Sequence, residues 1–195
     1  MKDRIEYQDV LKFWFEELEP KDWFNGPDTV DQAIRQRFEP LIESVYSGEY
    51  TDWIHTPLGR LASILVLDQF PRNLFRGEAR AFAYDNRALE LSLEGVSQGI
   101  DLQLEEPLMR VFFYLPLEHS EVMEDQDLSL DRFAHLVTRV EADRAEDFRR
   151  YLDYAWRHYA IIRRFGRYPH RNAILGRQST PKEIAFLKEP GSSFL

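Results

Sequence analysis

Apolar residues recur at helical spacing along almost the whole chain. Val10, Phe13, Trp14 and Leu18 follow an i, i+3, i+4, i+8 pattern, which predicts an amphipathic helix over about 5–18 that stops ahead of Pro20. Thr29 with Gln32 three residues on resembles a capping box for a helix over about 30–47, ended by Gly48, with Pro40 as a position for a bend. Thr56 before Pro57 reads as an N-cap with proline at the first helical position and opens a helix over 58–70. Leu61, Ala62, Ile64, Leu65, Val66 and Leu67 cover every face of it, so it is expected at the centre of the fold.

The same reading places a helix over 79–98, another over 107–115 broken by Pro116, and a helical stretch over 120–141. Phe148, Leu152, Ala155, Tyr159, Ile162 and Phe165 form a long stripe that stops at Gly166. Thr180, Pro181 and Glu183 form a capping box for a short last helix. The run 111–114 is rich in β-formers but lies in a helical context. The expected architecture is all-α, seven to eight helices in one domain spanning 1–195.

Composition narrows the partners. The formal net charge is −9, which argues against coating nucleic acid or lying on an anionic membrane. The longest apolar run, 61–67, falls far short of the roughly 20 residues that span a bilayer. No targeting segment opens the chain, so a cytoplasmic location is expected. Zero cysteines remove disulfides, thiolate metal sites and cysteine nucleophiles.

The charge is unevenly spread. From Tyr154 to Lys182 there is no Asp or Glu, while six Arg and Lys182 make this strip +7 and leave −16 elsewhere. The strip reads either as an anion-binding wall of Arg163, Arg164, Arg167, His170, Arg171 and Arg177, or as a surface packed on the acidic segment 118–131. A DNA surface is a weaker third reading, with no recognisable motif.

Three polar segments stand at predicted helix ends. Asp68-Gln69-Phe70-Pro71-Arg72-Asn73, followed by Arg76-Gly77, and Arg167-Tyr168-Pro169-His170-Arg171-Asn172, followed by Gly176-Arg177, both run aromatic, Pro, then Arg-Asn. The echo suggests two helix-to-loop corners built alike. Asp68 is the most demanding residue: a carboxylate at the C-terminal end of an apolar helix meets the negative end of the macrodipole and requires an adjacent cation. Arg72, Arg76 or an arginine of the other corner could supply it. The third segment, Pro116-Leu117-Glu118-His119-Ser120-Glu121, places His119 among carboxylates, where a histidine can act as acid, base or donor. His158 lies on the apolar stripe and reads as a satisfied core histidine. The Glu-x-x-His and His-Glu-x-x-His spacings are both absent, so no metal or other cofactor is expected.

Taken with Asp-Val-Leu-Lys-Phe-Trp-Phe at 9–15, Trp23-Phe24, Leu175-Gly176-Arg177 and Ser179-Thr180, these segments resemble a mainly bacterial family catalogued as domain of unknown function 924. The resemblance covers nearly the whole chain. It implies a tetratricopeptide-like array, in which antiparallel helix pairs stack into a right-handed superhelix, although no 34-residue repeat is legible. It implies no activity. The leading functional expectation is a pocket lined by Asp68, Arg72, Asn73, Arg76, His119, Glu121, Arg167, His170, Arg171, Asn172 and Arg177 that binds a small carboxylate or phosphate. One alternative is an interaction module gripping an acidic peptide, and a second is an enzyme using His119 or His170 as acid–base. A homo-oligomer is compatible with the aromatic N-terminal helix.

Overall fold

The computed structural model of the 195-residue chain describes residues 4–193, without the side chain of Asn25. All regular structure among them is helical, with nine α-helices joined by a π-helical turn and short 3-10 turns. Two compact units are distinguished: residues up to Arg76 with Arg80–Pro116, and Gly77–Ala79 with the chain from Leu117 onward.

In the first unit, α1 (Tyr7–Lys12) runs into a π-helical turn, Phe13–Glu17. The expected single helix is interrupted there by a π-helical turn that carries three consecutive rings, Phe13, Trp14 and Phe15. Phe13 and Trp14 are buried, Phe15 packs edge-on against Trp23 and Phe112, and the Trp23 indole N–H donates to the Trp14 carbonyl at 2.8 Å. The short α2 (Asp22–Asn25) carries Trp23. Helix α3 (Asp28–Tyr46) starts two residues before the expected position. Pro27 supplies its entry, and Thr29 falls inside the first turn instead of capping it.

Helix α4 (Pro57–Leu74) opens as expected, with Thr56 Oγ1 accepting from the Gly59 N–H at 3.1 Å. It is central: Leu61 to Leu67 are almost wholly buried, and α1, α3 and α5 (Asp85–Ser97) all pack against it. It does not stop at Phe70. Pro71 sits inside the helix, which continues to Leu74. Helix α6 (Pro107–His119) passes through Pro116 in the same way. Burial on all sides holds both helices past residues that, read locally, mark a break.

The second unit is built on α7 (Met123–Val137) packed along α8 (Ala145–Phe165). Gly166, with φ +70°, ends α8 in the left-handed region. A 3-10 turn, Pro169–Arg171, follows, and then α9 (Pro181–Phe186), whose Thr180–Glu183 capping box forms as read from the sequence. Ile161, Ile162, Tyr168 and Phe186 make a core cluster with Met123 and Phe165 against it. Among the described residues no helix is long and apolar enough to cross a membrane.

Candidate functional site

The first polar segment belongs to the first unit and is helical, forming the last turns of α4 and not a loop. Asp68 finds its cation locally: Arg72, one turn on, lies 3.1 Å from its carboxylate and also donates twice to Asp85, at 2.8 and 2.9 Å. Gln69 donates to the other Asp68 oxygen at 2.6 Å. Asn73 donates to Asp31 at 2.9 Å, and Arg76 reaches the same carboxylate with two bonds of 3.1 Å. Arg72 thus ties α4 to α5, and Asn73 and Arg76 tie its end to α3. The second corner is not built alike, because it leaves its helix at a left-handed glycine and turns through a 3-10 segment.

The other two segments meet within the second unit. Glu118 and His119 end α6, and Ser120–Val122 lead into α7. Glu121 receives both Arg177 donors, at 2.6 and 3.0 Å, and the Tyr168 N–H at 2.7 Å. Burial alone would raise the Glu121 carboxyl, but Arg177, the Tyr168 N–H and the charge of Arg171 outweigh it and hold the group below its ordinary range. Arg171 donates to the His119 carbonyl at 3.1 Å and lies 4.4 Å over the Tyr168 ring. Tyr168 donates its hydroxyl to the Glu118 carbonyl at 2.5 Å, and Gln126 clamps the same carbonyl at 2.7 Å. Asn172 is fully buried and donates to Ser179.

Two histidines face this framework. The His170 ring lies 5.5 Å from that of Tyr168; burial first, then the neighbouring Arg171 charge, depress its titration to about 3. It is therefore held neutral near pH 7 and is a weak base there, which makes it less suited to the acid–base role. His158 is buried, as its place on the apolar stripe implied, but it is also bonded to a carboxylate. Its Nδ1 lies 2.9 Å from Glu118 Oε1 and 2.9 Å from the Tyr154 carbonyl. Both neighbours accept, so Nδ1 carries a proton toward them. The His119 ring stands 6.2 Å from it.

A third feature lies beside the framework. Arg164, Phe165, Arg167, Thr180, Lys182 and Glu183 line an open cleft of about 710 Å³. Arg167 is committed to Glu183, at 2.7 and 2.9 Å, and to the Gln178 carbonyl. Those bonds and the capping contact with Thr180 hold the Glu183 carboxyl far below its usual range. Arg164 and Lys182 differ from it. Arg164 rests 4.8 Å from the Phe165 ring and 5.3 Å from that of Phe186, and neither cation has an ion-pair or hydrogen-bond partner among the described residues. Three cations against one carboxylate leave the cleft with a surplus of two positive charges.

The family model described as a bacterial protein of unknown function (DUF924) matches residues 10–191. The chain belongs to this family. A solved structure of a protein of unknown function from Agrobacterium tumefaciens is similar to it at 35% identity with a TM-score of 0.82, covering 93% of this chain and 96% of that one. No curated protein matches. The DUF924 family thus accounts for the motif segments without assigning them a role.

Read alone, the sequence does not place Glu118, His158, Glu183 or Lys182 among the candidate site residues: His158 reads as a core histidine, Glu183 as a cap and Lys182 as one charge of the basic strip. Glu118 was hidden beside the more conspicuous His119. The lack of acids over 154–182 was the one signal for the cleft, and it marked Arg164 without separating it from arginines that are internally bound. Of the strip's cations, Arg177 pairs with Glu121 of the acidic segment, as the packing reading expects, and Arg167 pairs with Glu183 outside that segment.

Proposed function

We propose that this DUF924 member binds a small anionic group, carboxylate or phosphate, in the cleft formed by Arg164, Arg167 and Lys182. One observation carries the reading: Arg72, Arg76, Arg167 and Arg177 are bonded to internal carboxylates, whereas Arg164 and Lys182 face the same cleft with none. A doubly charged ligand matches the surplus of two, and Phe165 offers an apolar wall to whatever carries the charge. The residues Asp68, Asn73, Arg171 and Asn172 serve in this reading as the frame that holds the helix ends. A cytoplasmic setting belongs to the same proposal. So does a tetratricopeptide-like array, supported by the consecutive packing of α3 with α4, α4 with α5 and α7 with α8.

Calorimetric titration with inorganic phosphate and with a dicarboxylate tests it. Saturable binding by the wild-type chain, lost in the Arg164→Gln, Lys182→Gln double variant, is the expected result. Binding that survives both substitutions would place the ligand elsewhere.

A second reading, an acid–base enzyme, draws support from the Glu118–His158 pair, in which the carboxylate orients the ring as general bases require. His158 replaces His170 as its candidate, with His119 retained beside it. Nitrogen-15 chemical shifts should report a proton on His158 Nδ1. An Nε2–H tautomer would remove this reading.

A further inference from the structure

On the same cation-bearing helix, α8 carries an aromatic surface that the cleft alone does not explain. Trp156 is 53% exposed, whereas Trp14, Trp23 and Trp53 are buried. Its ring is not a loose rotor, since it packs edge-on against Tyr159 with centroids 5.4 Å apart. Tryptophan is enriched among the anchors of protein interfaces, because it gives up much apolar surface at low entropic cost.

Helix geometry relates Trp156 to the cleft. Arg164 follows eight residues later, about 12 Å along the axis and slightly more than two turns on. Ala160, midway between them, is exposed and too short to obstruct the path. From Tyr154 through Lys182 the sequence holds no carboxylate to repel an anion, and the nearest one before it, Asp153, is held by Arg157 at 2.6 Å. A free small anion would use the cleft and leave Trp156 bare. An extended peptide advances about 3.3 Å per residue, so a segment with its anionic side chain in the cleft places a residue about four positions away over Trp156.

We infer that the anion bound in the cleft is presented by a protein segment, a phosphorylated or acidic side chain with an apolar residue about four positions from it, docked along α8 from Trp156 to Arg164. The inference rests on the cleft reading above. Charge complementarity and a pre-ordered aromatic anchor on one helix face favour a peptide over a free metabolite.

The test uses the full chain and a tryptophan-free peptide carrying phosphoserine and leucine four positions apart. Inorganic phosphate and the same peptide with serine in place of the leucine are compared with it. Calorimetry gives the affinities, and tryptophan emission reports on the one exposed indole among four. The phosphoserine–leucine peptide should bind about tenfold more tightly than phosphate, the span of one well-placed apolar contact, and shift the emission to the blue. Trp156→Ala should reduce the peptide to the affinity of phosphate while leaving phosphate binding unchanged. Equal affinity of both peptides and phosphate, with unmoved emission, would overturn the docking face and leave the cleft standing. So would a Trp156→Ala chain that binds the phosphoserine–leucine peptide as tightly as wild type. If neither phosphate nor peptide binds, the cleft reading fails and takes the docking face with it.

Discussion

Glu183 shows how much one side chain holds in place. Its carboxylate receives Arg167 twice and the Thr180 N–H, so it both pins the cleft's third cation and caps α9. Replacing it by Gln keeps the shape but removes the charge-assisted bonds, and should lower the urea-unfolding free energy by about 1–3 kcal/mol. Its pH behaviour follows from the direction of its shift. A carboxyl lowered from 4.5 in the folded chain contributes stability that is complete above that value and is lost as pH falls toward the depressed one. Glu121, also lowered, adds to the same window. Unfolding midpoints measured from pH 5 down to pH 2 should therefore fall steeply for wild type and less steeply for Glu183→Gln. Asp68 was readable at this scale because its partner stands one turn away, within the reach of a local rule. The Arg167–Glu183 and Arg177–Glu121 pairs were not, since they join segments 16 and 56 residues apart and exist only after the loops have folded.

Among the elements, the proline positions separate local from tertiary control. Pro71 and Pro116 read as stops, yet α4 and α6 run through them, because the surrounding core favours continuing an already buried helix. The consequence for the site was direct: segments expected on loops became the final turns of helices, and their arginines became braces. Close packing of α5 gives an independent check. A Cβ built on Gly95 would lie 2.4 Å from a ring carbon of Phe113 and 3.1 Å from Arg60, so only glycine lets the α5 and α6 backbones approach there. Gly95→Ala should cost about 1–3 kcal/mol by overpacking, despite alanine's better helix propensity. A urea midpoint at or above the wild-type value would show that this contact relaxes freely. The helix starts at Thr56 and Thr180, by contrast, were legible because a side-chain cap and a following proline act within four residues.

For the molecule as a whole, the net charge of −9 conceals a +7 strip on a −16 remainder. The structure divides that strip again, into arginines that brace the second unit and a smaller group, Arg164 and Lys182, that faces an open cleft. The sequence could show the imbalance but not the division, since identical side chains are told apart only by where carboxylates fall in space. An exposed cation pair is screened by salt, so phosphate affinity should drop severalfold between 20 and 200 mM sodium chloride, as the Debye length shortens from roughly 20 to 7 Å. An affinity indifferent to salt would indicate a buried site. The most direct measurement follows the arginine side-chain Nε–H resonances while inorganic phosphate is added. Saturable movement of Arg164, with Arg72 and Arg177 staying in place, is the expected outcome. Movement of Arg177 or Arg171 with Arg164 unmoved would contradict the cleft assignment and return the site to the motif residues.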